Sequence, residues 1–256
     1  GRASAEGGDT PIWRQRFVTA SSSGLYNTAG VLFQWAPDAL RQDNAWCPLD
    51  VSKHLAHTHE DAITCLGTLR TRRGHNSSDD VDGHIVVTGS RDKSLKLWHV
   101  APSTSLPWRV TSTLTGHSDW VNCVACLPPP SNDLATSALI VSGSRDKTLR
   151  LWTETDTHVT ETDTHGARGE GNWRCAAVLK GAVLGEEGGH KDFVTSAALS
   201  RNGGPALLAS GGADWEVILW DVEHGSNTGP LRILSGHSYA VRCVAFQSPA
   251  ASSSSS

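Results

Sequence analysis

Residues 86–98 read VVTGSRDKSLKLW, residues 140–152 read IVSGSRDKTLRLW and residues 208–220 read LASGGADWEVILW. The three stretches share one internal spacing. A Ser or Thr (Thr88, Ser142, Ser210) stands four residues before an Asp (Asp92, Asp146, Asp214), and that Asp stands six before a Trp (Trp98, Trp152, Trp220). Self-similarity of this kind marks a repeat architecture, in which one supersecondary unit is stacked on its neighbours. Upstream of each copy lies a His-led apolar segment: HEDAITCL from His59, HSDWVNCV from His117 and HKDFVTSA from His190. A fourth, HSYAVRCV from His237, is followed by a Ser-rich tail.

The local pattern is β. Short runs rich in Val, Ile and Leu, bounded by Gly and polar turns, predict strands of about five residues. SRDK and GADW between two such runs are tight hairpin turns. Each repeat therefore gives strand a after the His, strand b ending in the Ser or Thr, a turn carrying the Asp, strand c ending in the Trp, and then strand d. Trp108-Arg109-Val110 and Trp173-Arg174-Cys175 open matching fourth strands. Four antiparallel strands per unit make a blade.

The composition fits. The chain has 256 residues, 22 Lys+Arg against 26 Asp+Glu, and a net charge of −4. No apolar run approaches the roughly 18–20 residues of a membrane helix, so no membrane span is expected. The slight acidity and the absence of long basic blocks argue against direct nucleic-acid binding driven by the phosphate backbone. Ten Trp against four Phe and two Tyr indicate an assigned, repeated place for Trp. With no Met in the chain, we read it as an excerpt or processed piece of a longer product. Residues 1–16 are polar and lack the apolar core of a secretory signal,. The six Cys are accordingly expected to be reduced, in an intracellular compartment, cytoplasmic or nuclear,.

These residues resemble the WD40 family, whose blade has a Gly-His-led first strand and a Trp-Asp dipeptide ending the third. Gly-His is kept at Gly116-His117, Gly189-His190 and Gly236-His237, and Trp-Asp at Trp220-Asp221. The resemblance covers residues 17–246 and implies an all-β, WD40-type β-propeller. It also implies a buried hydrogen-bonded tetrad in each blade, here His59, Thr88, Asp92 and Trp98; His117, Ser142, Asp146 and Trp152; and His190, Ser210, Asp214 and Trp220. A buried indole N–H needs an acceptor, Ser or Thr both gives and takes, and Asp sets the His tautomer. A Ser-His-Asp protease triad is rejected, because a trio present in every repeat is architecture whereas an active site would appear once.

Residues 17–36 read as strands b and c of a degenerate blade, with Thr19 and Trp35 at the repeat positions and the turn Asp lost. The expected organisation is a polar segment at 1–16, blades over 17–247 (partial at 17–56; whole at 57–114, 115–181 and 188–234; a first strand at 235–247) and a Ser-rich tail at 248–256. Joining the two ends would close a ring of only four blades, and a fragment of a larger propeller is the preferred reading. The repeat His are 58, 73 and 47 residues apart, against ~40–45 for a bare blade. The excess falls in loops at 70–83, 127–138, 153–171 (with the duplication ETDTHVT, ETDTHGA) and 182–189. Long loops cost little stability, and either function or drift accounts for them.

Cys123 and Cys126 could be half a zinc site or a redox pair. Register argues otherwise: Cys65, Cys123 and Cys243 share one strand position, where Ser196 stands in the remaining copy, and a small residue repeated there is core packing,. His54, His57 and His59 lack partners at zinc-site spacing. No metal, no cofactor and no enzymatic motif is expected.

What remains is the rim. In the family, the residue before the turn Asp and those three and five after the blade His face partners, which maps here to Arg91, Arg145, Trp120, Phe193, Thr64, Asn122, Thr195 and Arg242. Trp and Arg are enriched at interface hot spots. Trp215, where sister blades carry Lys93 and Lys147, is hard to explain as core. Basic turns beside aromatics suit an acidic or phosphorylated peptide; alternatively, the arginines are solvated turn residues and Trp120 packs under a loop. The function expected is a non-catalytic scaffold that binds proteins or peptides. An RNA- or DNA-associated subunit using its basic turns, or a targeting module such as a ubiquitin-pathway adaptor, are the alternatives.

Overall fold

The computed structural model describes residues 17–22, 30–37, 46–50, 59–71, 83–100, 108–130, 137–155, 172–180, 188–201, 204–223 and 229–247. His54, His57 and most of the four loop inserts lie outside them. Every regular element among the described residues is a strand, and every pairing is antiparallel. Strands β1 (Phe17–Ser22), β2 (Gly30–Pro37) and β3 (Trp46–Asp50) form a three-stranded sheet. Strands β4 (Ile63–Thr71), β5 (Gly83–Ser90), β6 (Leu95–Val100) and β7 (Arg109–Leu114) form the first four-stranded blade. The second holds β8 (Val121–Leu127), β9 (Leu139–Ser144), β10 (Leu149–Thr155) and β11 (Asn172–Leu179). The third holds β12 (Val194–Ser200), β13 (Leu207–Gly212), β14 (Val217–Asp221) and the short β15 (Arg232–Leu234).

Each blade is a meander because its strands are joined by turns or loops between neighbours, so sequence order and sheet order coincide. The blades stack face to face. In β9 all six residues are buried, since a sheet covers each of its faces,. Leu139 and Val141 point toward the third blade, where they pack with Val194, Leu208 and Trp220. Ile140 points the other way, into a layer with Leu69, Val87, Leu95 and Leu97 of the first blade. The repeat Trp always packs against the preceding sheet: Trp98 with Val18 and Ala20 of β1, Trp152 with the first blade, Trp220 with the second. Burying a ring of this size contributes on the order of 3 kcal/mol or more.

The close approach of adjacent blades needs glycine. A Cβ at Gly143 would stand 2.6 Å from Cys123 Sγ of its own blade and 2.6 Å from Val194 Cγ1 of the next. Cys123 therefore belongs to this layer, whereas Cys243 is exposed.

The segment expected to be a first strand at 235–247 joins no ladder. A strand needs a ladder of backbone hydrogen bonds to a neighbour, and the described residues supply this segment with none,. It is tied to the third blade at its middle, where Val241 N–H donates to Gly212 O at 3.0 Å.

Candidate functional site

The three tetrads have one geometry. Trp98 Nε1–H donates to Thr88 Oγ1 at 2.9 Å, Thr88 Oγ1 lies 2.7 Å from His59 Nε2, and His59 Nδ1 lies 2.7 Å from Asp92 Oδ2. The second blade repeats this with Trp152–Ser142 at 2.9 Å, Ser142–His117 at 2.8 Å and His117–Asp146 at 2.8 Å. The third has Trp220–Ser210 at 2.9 Å, Ser210–His190 at 2.8 Å and His190 to both Asp214 oxygens at 3.0 and 2.9 Å. A carboxylate only accepts, so Nδ1 carries the proton and Nε2 accepts from the hydroxyl, which in turn accepts from the indole. Proton donation runs one way, from Trp through Ser or Thr and His to Asp.

The Asp also ties down the loop after the His. Asp92 Oδ2 accepts Glu60 N–H at 3.0 Å, Asp146 Oδ2 accepts Ser118 N–H at 3.0 Å, and Asp214 Oδ2 accepts Lys191 N–H at 2.7 Å. Burial would raise the Asp92 carboxyl, but the hydrogen bonds it accepts from His59 and Ser94 outweigh that and hold it far below the usual range,. Asp146 is held down in the same way, by His117 and Thr148 against its own burial.

Ser94 and Thr148 are members the sequence analysis missed. Each hydroxyl donates to its blade's Asp at 2.6 Å. The signal was present, a hydroxyl residue two positions after the Asp in two repeats. Glu216 holds that place in the third, and there both carboxylate oxygens turn to His190 instead. The turn leaves no room for a side chain at Gly212, whose Cβ would meet Asp214 Oδ1 at 2.2 Å and His190 Nδ1 at 2.4 Å.

The b–c turns and the loops after the His form one continuous face. Ser90 Oγ–H donates to Asp61 O at 3.1 Å and Arg91 N–H to Ala62 O at 3.0 Å, and Ser144 and Arg145 repeat both bonds to Asp119 and Trp120. On this face the candidate side chains interlock across blades. Arg91 lies over Trp120, its guanidinium carbon 4.3 Å from the ring centroid. Arg145 lies 4.8 Å from Trp120 and 4.6 Å from Phe193 of the next blade. Arginine and aromatic residues alternate in a ladder that crosses two blade boundaries.

Thr64, Asn122 and Thr195 sit where strand a bulges, between Ile63 and Cys65, Val121 and Cys123, and Val194 and Ser196. The bulge re-aims them. Thr64 Oγ1–H donates to Val121 O, Asn122 Nδ2–H to Val194 O at 2.8 Å, and Thr195 Oγ1–H to Val241 O. Each hooks its blade to the next. Arg242, at the same register position, is exposed and makes no hydrogen bond or ion pair among the described residues.

A cavity of about 440 Å³ opens on this face, lined by Trp120, Arg145, Phe193, Thr195, Ala213 and Arg242 among others. Trp215 stands beside it in sequence, 52% exposed, in a left-handed turn position with φ 72°. Among the described residues no cluster of three His, Cys, Asp or Glu could hold a metal, and no helix is long and apolar enough to cross a membrane. Burial pushes the Cys65 and Cys126 thiols up to about 12, and Cys123 higher still.

Repeats with this blade, tetrad and turn define a WD40-type β-propeller. The family profile described as "WD domain, G-beta repeat" matches residues 52–99, 108–153 and 181–221, more than half of the chain, and the chain belongs to that family. It is similar to the protein transport protein sec13 of Aspergillus clavatus, 35% identical over 134 residues, covering 52% of this chain and 36% of that protein. The nuclear distribution protein nudF of Aspergillus niger is 25% identical over 181 residues, covering 65% of this chain and 33% of that protein. The chain thus spans about a third of the length of these relatives. A crystal structure of RRP9 WD40 repeats covers 73% of this chain and 42% of its own at 22% identity and a TM-score of 0.43.

Proposed function

We propose that this chain is a non-catalytic interaction module, which holds a peptide or domain of another protein on the face built by its b–c turns and the loops after its His residues. The observation that carries this reading is the Arg91–Trp120–Arg145–Phe193 ladder bordering an open cavity. Rigid blades presenting aromatic and guanidinium groups around a concavity suit recognition. The polar trios that resemble catalytic groups recur in every blade with their donors and acceptors engaged, so they serve the scaffold. Arg242 is the guanidinium left unengaged there and offers a contact for an acidic or phosphorylated group. The relatives named for protein transport and nuclear distribution agree with an intracellular subunit of an assembly, cytoplasmic or nuclear.

The test is affinity capture with the parent chain and with a Trp120→Ala/Arg145→Glu variant, both first shown to be folded by circular dichroism and melting. Partners held by the parent and lost by the variant are expected. An identical partner set for both would overturn the assignment of this face.

A further inference from the structure

The arginine–aromatic ladder stops one rung short. In the second blade Asp119 Oδ1 accepts Trp120 N–H at 2.8 Å, Arg145 N–H donates to Trp120 O at 2.8 Å, and the Arg145 guanidinium lies 4.8 Å from its own blade's Trp120 ring with Nε 3.8 Å from Asp119 Oδ2. The third blade repeats every part but one. Asp192 Oδ1 accepts Phe193 N–H at 2.8 Å, and Ala213 N–H donates to Phe193 O at 2.8 Å. Ala213 stands where Arg145 stands, so the backbone frame, the carboxylate and the ring are all present and the guanidinium is not. Asp192 makes no ion pair among the described residues. Among the described residues, the arginine that stacks on Phe193 is Arg145 of the preceding blade.

The cavity of about 440 Å³ lies at this missing rung. Ala240 deepens it, standing at the register position where Trp120 and Phe193 carry rings. Two truncations at successive rungs leave an open slot lined by the Trp120 and Phe193 rings, and Asp192 is held against the backbone of Phe193.

We propose that this slot takes an arginine side chain from a partner polypeptide, its guanidinium stacking on Phe193 and pairing with Asp192 as Arg145 stacks on Trp120 and pairs with Asp119. The planar, weakly hydrated guanidinium stacks on rings and pairs with carboxylates at once, which a lysine ammonium does not. Arg242 also lines the cavity and is a like charge. It opposes an isolated cation and favours an arginine followed by an acidic residue, whose carboxylate reaches Arg242. The inference rests on the interaction-face reading and names the chemistry of its ligand.

The test uses the full 256-residue chain and fluorescein-labelled pentapeptides with an Arg-Glu centre, compared with Lys-Glu and phosphoserine-Glu centres, read by anisotropy. The Arg-Glu peptide should bind about tenfold more tightly than the Lys-Glu peptide. Asp192→Asn should weaken it about fivefold, a contact loss typical of a partly exposed charge pair. Ala213→Arg should abolish binding while the melting temperature holds, because the introduced side chain fills the rung as it does in the second blade. Where that variant fails to fold, Phe193→Leu serves, with a loss of about fivefold expected from the missing ring. Undiminished binding in a folded Ala213→Arg or Phe193→Leu variant, no binding by the parent, or tighter binding of the phosphoserine peptide would overturn the proposal. If the Trp120→Ala/Arg145→Glu chain loses its captured partners while Ala213→Arg keeps them, the face stands and the arginine slot falls.

Discussion

Trp152 Nε1 donates to Ser142 Oγ at 2.9 Å in the middle of the second blade, and both residues are buried. The bond joins strands β10 and β9 and anchors the ring that packs on the first blade. Replacing Trp152 with Ala should destabilise the protein by roughly 3–5 kcal/mol, through the cavity and the lost burial with the orphaned hydroxyl added. Trp152→Phe, which keeps much of the ring but not the donor, should cost about 1–3 kcal/mol. Urea unfolding measures both; a loss below about 1 kcal/mol for the Ala variant would contradict the buried-chain role.

Acid should loosen the blades through Asp92 and Asp146. Both carboxyls titrate lower in the folded protein than in the unfolded chain, so the unfolded state binds more protons as pH falls through ~4,. Their contribution is fully present above that pH and is lost progressively below it. The urea midpoint should therefore hold steady between pH 7 and about 5 and decline from about 4 downward. An Asp146→Asn variant, weaker at neutral pH, should show a shallower decline; an unchanged acid slope would remove Asp146 from the explanation.

Thiol labelling should divide the cysteines by position. The folded protein should react rapidly at Cys175 and Cys243, which are exposed, and slowly at Cys65, Cys123 and Cys126, whose thiolates burial disfavours,. Mass spectrometry after a short pulse of iodoacetamide reads the sites. Equal labelling of Cys123 and Cys243 in folded protein would contradict the blade-interface position of Cys123.

Trp215 holds a left-handed turn, φ 72°, that glycine adopts at no steric cost,. An L-residue there costs roughly 1–2 kcal/mol, and glycine returns part of that as unfolded-state entropy. Trp215→Gly should accordingly leave stability unchanged or raise it by up to about 1 kcal/mol, while capture of a partner that uses the exposed ring declines. Melting tells the two apart: a loss above about 1 kcal/mol would show that the ring packs against the blade.

The strands, the blade repeat and the tetrads were legible because they depend on local periodicity and fixed spacing. Thr88 and Trp98 meet diagonally across one hairpin, where the register pairs Thr88 with Lys96 and Val86 with Trp98 and so brings the hydroxyl and the indole onto one face,. The sharing of Asp oxygens was only half legible, since Ser94 and Thr148 repeat in two blades and give way to Glu216 in the third. The segment at 235–247 carries the pattern of a strand a, and a ladder additionally requires a neighbouring strand, which spacing within the segment does not supply,.

By itself, then, the sequence determined the blade: its alternation of apolar and polar positions, its turns and the residue types of its buried polar chain, all of which follow from contacts within one repeat. Only the tertiary structure decided what the rim residues do. Arg91 reaches Trp120 and Arg145 reaches Phe193 across blade boundaries, and Asn122 hooks onto Val194 of the next blade. Those contacts depend on how closely and at what angle two sheets pack, which no spacing within a repeat encodes. The same packing leaves Arg242 unengaged and, with Ala213 in place of an arginine, leaves the slot beside Phe193 open.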